Sequence, residues 1–176
     1  RECQTSSATQ RALAGVKREH YVLASKAFFP MSDHRFDRGL SRKHLTAALD
    51  ASLARLKTDH LDLYQCHAPD DKIPIEETLR AFEELIKAGK VRYIGVSNFT
   101  ADQLQKALDA AAEHGLPPFV SLQPRYNLVH RAEFEAVLMD LCKREQIGVI
   151  PYSPLAAGFL TGKYRPGVPV ESQRMN

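Results

Sequence analysis

Apolar residues recur along this chain with two alternating rhythms. Leu45, Leu49, Leu53 and Leu56 follow one another at spacings of four, four and three, one stripe of an amphipathic helix with Ser41 as its N-cap. Leu61 to Cys66 then reads as a short buried strand with His67 at its end, and Pro69, having no N–H to give, stops the pairing. Pro74 opens a second helix striped by Leu79, Phe82 and Ile86; Glu76 and Glu77 suit its positive end, and Gly89 closes it. Val91 to Val96 is the next strand, followed by Ser97-Asn98. Thr100 and Gln103 have capping-box spacing for a helix carrying Leu104 and Leu108 and ending at Gly115. Phe119 to Leu122 predicts a strand ending in Gln123 and Pro124. Phe134, Val137, Leu138 and Leu141 predict a helix, and Ile147 to Ile150 a last strand before Pro151-Tyr152. Upstream, Gln10 to Val16 predicts a short helix and Tyr21 to Ser25 a strand ended by Lys26. Pro30 to Leu40 is rich in chain breakers and reads as loop, as does the tail from Tyr164.

Five strands alternating with helices mean right-handed βαβ units and a parallel sheet, the α/β class. The last four strands begin at intervals of about 30 residues, one βαβ step each. Even spacing favours a parallel (β/α)8 TIM barrel over a doubly wound sheet, and no strand is followed by Gly-x-Gly-x-x-Gly. A closed barrel typically takes ~250 residues. The 176 residues are therefore expected to form a single, incomplete barrel domain of about five β/α units.

Composition narrows the function classes. A net charge of +3, with basic residues scattered among acids, carries no nucleic-acid footprint and no polybasic membrane segment. No apolar run reaches the length of a bilayer span, and Arg1 to Thr5 holds no signal-peptide core. Cys3, Cys66 and Cys142 are odd in number and lack Cys-x-x-Cys spacing, which predicts free thiols, a reducing cytoplasmic setting and no disulfide frame. The histidines show no metal-binding spacing. His20, His34, His44, His60, His114 and His130 read as solvated surface residues.

Candidate chemistry gathers at the strand ends. In order they offer Lys26, His67, Ser97-Asn98, Gln123 and Tyr152-Ser153, and in a barrel these ends converge on one mouth. Rival motifs fail on spacing. Phe99 stands where a nucleophile elbow needs its second glycine, and Gly158 to Tyr164 is one residue short of a phosphate loop.

Four segments carry a resemblance. They are Leu56 to His67 (LKTDHLDLYQCH), Gly89 to Phe99 (GKVRYIGVSNF), Leu122 to Leu128 (LQPRYNL) and Pro151 to Lys163 (PYSPLAAGFLTGK). Together they resemble the aldo-keto reductase superfamily, its bacterial-type members in particular, over Tyr21 to Tyr164. The resemblance implies an NADP(H)-dependent oxidoreductase that reduces aldehydes or ketones to alcohols by hydride transfer, with a small carbonyl substrate. It matches Lys26 and His67 to the lysine and histidine of the family's catalytic Asp-Tyr-Lys-His tetrad. Ser97, Asn98 and Gln123 match the clasp on the nicotinamide carboxamide, and Tyr152 the aromatic that stacks on the ring. Ser153, Leu155, Gly158, Leu160 and Lys163 match the loop around the pyrophosphate. The tetrad Asp and Tyr belong to the barrel unit before the lysine strand, and Arg1 to Gln10 offers neither. The chain is thus expected to be the middle of a reductase, inactive by itself, whether a fragment or a reduced relative. The alternative is a non-catalytic nucleotide-binding or regulatory module; a Schiff-base aldolase built on Lys26 would leave the clasp idle. NAD versus NADP and the oligomeric state stay open.

Overall fold

The computed structural model describes residues 4–164, among which helices and strands alternate. Helix α1 (Gln4–Ala12) precedes β1 (Ala24–Ala27), α2 (Arg42–Leu56), β2 (Leu61–Cys66), α3 (Ile75–Lys87), β3 (Val91–Ser97), α4 (Ala101–His114) and β4 (Ser121–Gln123). A π-helical turn, Phe134–Leu138, runs into α5 (Met139–Arg144); β5 (Gly148–Val149) and a 3-10 segment, Ala156–Thr161, follow. The strands lie in the order β1-β2-β3-β4-β5, every neighbouring pair parallel. This is the arrangement of five consecutive units of a (β/α)8 barrel.

The helix ends form as their sequences dictate. The Ser41 side chain accepts from the His44 N–H, and Thr100 and Gln103 complete a reciprocal capping box. Gly115 ends α4 in the left-handed region at φ 63°, where its missing Cβ makes the turn cheap.

Register sets the two faces of the sheet. Lys26, Gln65, Gly95, Ser121 and Gly148 are successive partners, one row across all five strands. Alternation puts Asp62, Tyr64 and Cys66 on the opposite face. There the Tyr64 hydroxyl donates to the Leu45 carbonyl of α2 at 3.2 Å, and its ring meets Phe82 of α3 edge-on at 5.6 Å. That face is the helix side and holds the core; the row through Lys26 is the concave side. Tyr93, on the concave side, is 60% exposed. Gly95 lies between Ser121 and Gln65, where an added Cβ would stand 2.9 Å from the Ser121 carbonyl oxygen. Only glycine fits there without moving backbone.

Several boundaries differ from the sequence expectations. The first helix lies at Gln4–Ala12 rather than Gln10 to Val16. Strand β1 starts at Ala24, because the Leu23 N–H goes to the Asp62 carboxylate (2.8 Å) instead of into the ladder. Tyr21 therefore lies outside the strand and Lys26 within it. Strand β4 starts at Ser121 and includes Gln123, and β5 shrinks to two residues ahead of Pro151. The π turn accounts for Val137, which is 58% exposed: the Met139 N–H reaches back five residues to Phe134, turning Val137 outward and leaving Phe134, Leu138 and Leu141 buried. The expected loop beyond Tyr164 and the free thiol expected at Cys3 lie outside the described residues; Cys66 and Cys142 are free and buried.

At the end of the barrel away from the mouth, Asp62 ties the first strands together. It accepts from Leu23 N–H and from Arg18 at 2.6 Å, and it faces Arg92 at 3.2 Å. Burial alone would raise its pKa, but these hydrogen bonds and the two guanidinium charges outweigh burial and hold it below the usual aspartate range. A depressed carboxylate stabilises the fold above its unfolded pKa, and that contribution fades as pH falls below about 3.9. Asp62→Ala should cost about 1.5–3 kcal/mol at pH 7, the range for hydrogen bonds to a charged group. In urea unfolding the gap to wild type should narrow as pH falls below about 4; a gap that widens in acid contradicts the assignment.

Candidate active site

Lys26 stands on the concave face of β1, and His67 follows β2 with its backbone N–H bonded to the Ala27 carbonyl at 3.0 Å. Both line one cavity of about 720 Å³, together with Phe28, Phe29, Met31 and His44. Phe29 packs edge-on against the His67 ring with centroids 4.6 Å apart. Burial lowers the Lys26 pKa. Burial first, and the Lys26 charge second, lower that of His67. At neutral pH His67 is therefore an uncharged imidazole beside an ammonium, able to donate one ring N–H.

Beside this pair, the ends of β3, β4 and β5 are joined by one chain of hydrogen bonds. Ser97 Oγ donates to the Gln123 carbonyl at 2.8 Å. Asn98, in the left-handed region at φ 60°, donates through Nδ2 to the His67 carbonyl (2.9 Å) and to Ser97 Oγ (3.2 Å). Its Oδ1 accepts from the Tyr152 hydroxyl at 2.8 Å. The Tyr152 N–H donates to the Pro124 carbonyl at 3.0 Å. Ser97, Asn98, Gln123 and Tyr152 thus meet at one place, and Asn98 ties them to the strand carrying His67.

The following loop is unusual in its backbone. Ser153 (φ 56°), Ala156 (φ 47°) and Ala157 (φ 55°) lie in the left-handed region, as do Gly158 (φ 99°) and Gly162 (φ 77°). Each non-glycine residue so placed costs about 1–2 kcal/mol, and such strain clusters at functional loops. Leu155 organises the loop through its carbonyl, which accepts from the Gly158 N–H (2.9 Å) and the Leu160 N–H (3.2 Å). The end of Lys163 lies against Gly158, 3.4 Å from where a Cβ would stand.

Two residues of the site region were not singled out from sequence. His44, read as solvated, is 3% exposed and lines the cavity of Lys26 and His67, with no partner for its Nε2. Its burial lowers its pKa, while Asp37 opposes the shift. The signal was the row His44-Ala48-Ser52-Arg55, which runs beside the leucine stripe at helical spacing. His60 is also not solvated: its ring is mostly covered and bonded to Asp59 at 2.6 Å. The second residue is Asn127, part of a quoted motif but given no role. His20, His34 and His114 are exposed as expected.

Comparison with known proteins gives the chain its family. The model of the Aldo/keto reductase family matches residues 2–176, so the chain belongs to that family. It is 35% identical over 156 residues to L-glyceraldehyde 3-phosphate reductase of Escherichia coli K12, covering 89% of this chain and 45% of that protein. It is 39% identical over 147 residues to the aldo-keto reductase YhdN of Bacillus subtilis, 84% of this chain and 42% of that protein. A Schizosaccharomyces pombe protein named putative voltage-gated potassium channel subunit beta is 39% identical over 160 residues, 90% of this chain and 46% of its own length. The chain spans less than half the length of these relatives.

The electrostatics of the Lys26–His67 pair can be read directly. By NMR the His67 ring should titrate below the ordinary histidine value of about 6.5. Lys26→Met removes the like charge and should move that midpoint upward, though still below 6.5 because burial remains. A downward move on removing the lysine contradicts the geometry.

Proposed function

We propose that the protein is an NADP(H)-dependent carbonyl reductase, acting on aldehydes or ketones, in which this chain supplies the cofactor floor and two groups of the catalytic centre. The observation that carries the reading is the hydrogen-bonded chain from Gln123 through Ser97 and Asn98 to Tyr152, fastened by Asn98 to the strand of His67 and set beside Lys26.

The residues present fit the cofactor by their chemistry. Ser97 and Asn98 offer a hydroxyl and an amide that can exchange their present hydrogen bonds for those of a carboxamide, and Gln123 adds a side-chain amide at the end of the neighbouring strand. Tyr152 offers an aromatic face at the same point. Ser153, Leu155, Gly158, Leu160 and Lys163 make a strained, glycine-containing loop closed by a cation, which suits a pyrophosphate. Bound NADPH would supply a hydride at the nicotinamide C4.

What the chain itself does is orient and polarise. The clasp fixes which face of the ring meets the substrate, a proximity effect. Neutral His67 donates a ring N–H to the carbonyl oxygen and orients it. Lys26 places a positive charge that stabilises a phenolate; an opposite charge within reach lowers a phenol's pKa by about 1–3 units. The proton donor in this reading is the tyrosine that the resemblance puts in the barrel unit before β1. Tyr64 cannot serve, because its hydroxyl is committed to Leu45 on the helix side. Phe29, Met31 and Leu128, exposed on the loops at the mouth, would flank an apolar part of the substrate. The buried free thiols fit a reducing, cytoplasmic setting, and no helix among the described residues is long and apolar enough to cross a membrane.

A second reading is a nucleotide-binding or regulatory module without turnover. The commitment of the Tyr64 and Tyr152 hydroxyls to Leu45 and Asn98 favours it, as does similarity to a relative named as a channel subunit. One pair of variants separates the readings in the protein. Tyr152→Ala should weaken NADPH binding by about 1–3 kcal/mol, the scale of base-on-aromatic stacking. Lys26→Met should abolish reduction of a nitrobenzaldehyde while leaving the NADPH dissociation constant within a few-fold, because its charge acts in the transition state. NADPH bound but never consumed by wild type supports the second reading. No effect of Tyr152→Ala on binding overturns the cofactor site in both.

A further inference from the structure

Asn127 lies in the turn after β4, far in sequence from the β5 loop that it touches. The residue is 8% exposed, and both ends of its side-chain amide are used. Oδ1 accepts from the Val129 N–H (2.9 Å) and the His130 N–H (3.0 Å), closing its own turn. Backbone bonds between Asn127 and His130 in both directions, at 3.3 and 3.1 Å, tighten it further. Nδ2 donates to the Ser153 carbonyl at 2.9 Å. Only this last contact leaves the turn.

An aspartate would close the turn equally well, since Asp and Asn both form Asx turns. It could not donate to Ser153. The amide is thus required by the β5 loop and not by the turn that contains it. Ser153 is where a hold matters: it adopts φ 56°, a conformation that residues with a side chain rarely take, directly after Tyr152 and at the entrance to the strained loop. Its carbonyl also accepts from the Ala156 N–H at 2.9 Å, so the bond from Asn127 and the first bond of the loop share one oxygen. Tyr152 itself is fixed at the hydroxyl by Asn98 and at the N–H by Pro124. Asn127 supplies the hold on its C-terminal side.

We propose that Asn127 is a positioning residue of the cofactor site: its Nδ2–H holds the Ser153 carbonyl, keeps Ser153 in its left-handed turn and so fixes both the Tyr152 ring and the loop that runs to Lys163. The proposal rests on the reading of this mouth as an NADP(H) site, and it deepens that reading. Asn127 touches no reacting atom; it acts through Ser153.

The test is a double-mutant cycle in the protein, using Asn127→Asp and Ser153→Gly. Glycine adopts positive φ without strain, so at position 153 it needs no anchor. Asn127→Asp should raise the NADPH dissociation constant about tenfold when Ser153 is present, the scale of one lost hydrogen bond and the disorder that follows. In the Ser153→Gly background the same change should cost less than about threefold. A residue that only shapes its own turn would show equal cost in both backgrounds, and that result overturns the proposal, as does no cost in either. A second readout needs no cofactor. Amide exchange at Ala156, Gly158 and Leu160 should quicken in Asn127→Asp. Unchanged exchange overturns the proposal even where NADPH does not bind, whereas absent wild-type binding with the exchange pattern intact contradicts only the cofactor reading. If Asn127→Asp does not fold, Asn127→Ser takes its place, since its shorter side chain can accept within the turn but falls short of Ser153.

Discussion

In a parallel sheet a slip of one residue exchanges the two faces of a strand. For β2 such a slip would send Gln65 into the helix layer and Tyr64 into the barrel interior. What prevents it is the difference between the faces. Tyr64 fills a slot between α2 and α3, with its hydroxyl on the Leu45 carbonyl and its ring against Phe82. On the other side Gly95 leaves room between Gln65 and Ser121 that no larger residue could leave. Asp62 adds a polar lock at the far end by taking Leu23 N–H and the Arg18 guanidinium. Because β2 is gripped in this register, Lys26 is set in the row of Gln65 on the concave side and His67 emerges at the mouth beside it.

The mouth is then assembled from residues that no single segment could bring together. Asn98 is its centre: one amide reaches the His67 carbonyl, Ser97 and Tyr152, spanning the ends of β2, β3 and β5. Its left-handed backbone turns the chain from β3 toward α4 while pointing the amide inward. The structure thus links packing to chemistry in one step, because loss of register at β2 would also dismantle the mouth. Burial acts on the same residues: it lowers the pKa of Lys26 and of His67, keeping His67 neutral and suited to donate a hydrogen bond.

Much of this was readable from the residues, and the failures have local causes. The leucine stripe of α2, the strand Leu61 to Cys66 and the capping box of α4 are strong because propensity, period and end signals agree there. Short strands fared worse. The limits of β1 depend on where the Asp62 carboxylate takes a backbone N–H, a contact made across 39 residues that no local pattern shows. Val137 fits a helical stripe on paper, but a π turn rotates it out. Polar residues in tertiary roles were hardest. A histidine is indifferent to burial in any single-residue scale, so His44 looked solvated, although the next two residues of its row on α2, Ala48 and Ser52, are small. Asn127 carries no local signal of its role, since a turn asks for Asn and Asp alike; its amide donor finds its use only once β5 is alongside.

In the proposed cofactor site, Ser97, Asn98, Gln123 and Tyr152 present one face of a nicotinamide to a carbonyl held by His67. The direct measurement is the origin of the transferred hydrogen. With NADPH carrying deuterium at one or the other of the two C4 positions, a reactive aldehyde is reduced by the protein and the label in the alcohol is read by mass spectrometry. Label should arrive from one of the two isomers and not from the other, because a clasped ring cannot turn over. Label arriving equally from both would show that the ring is not held by these residues.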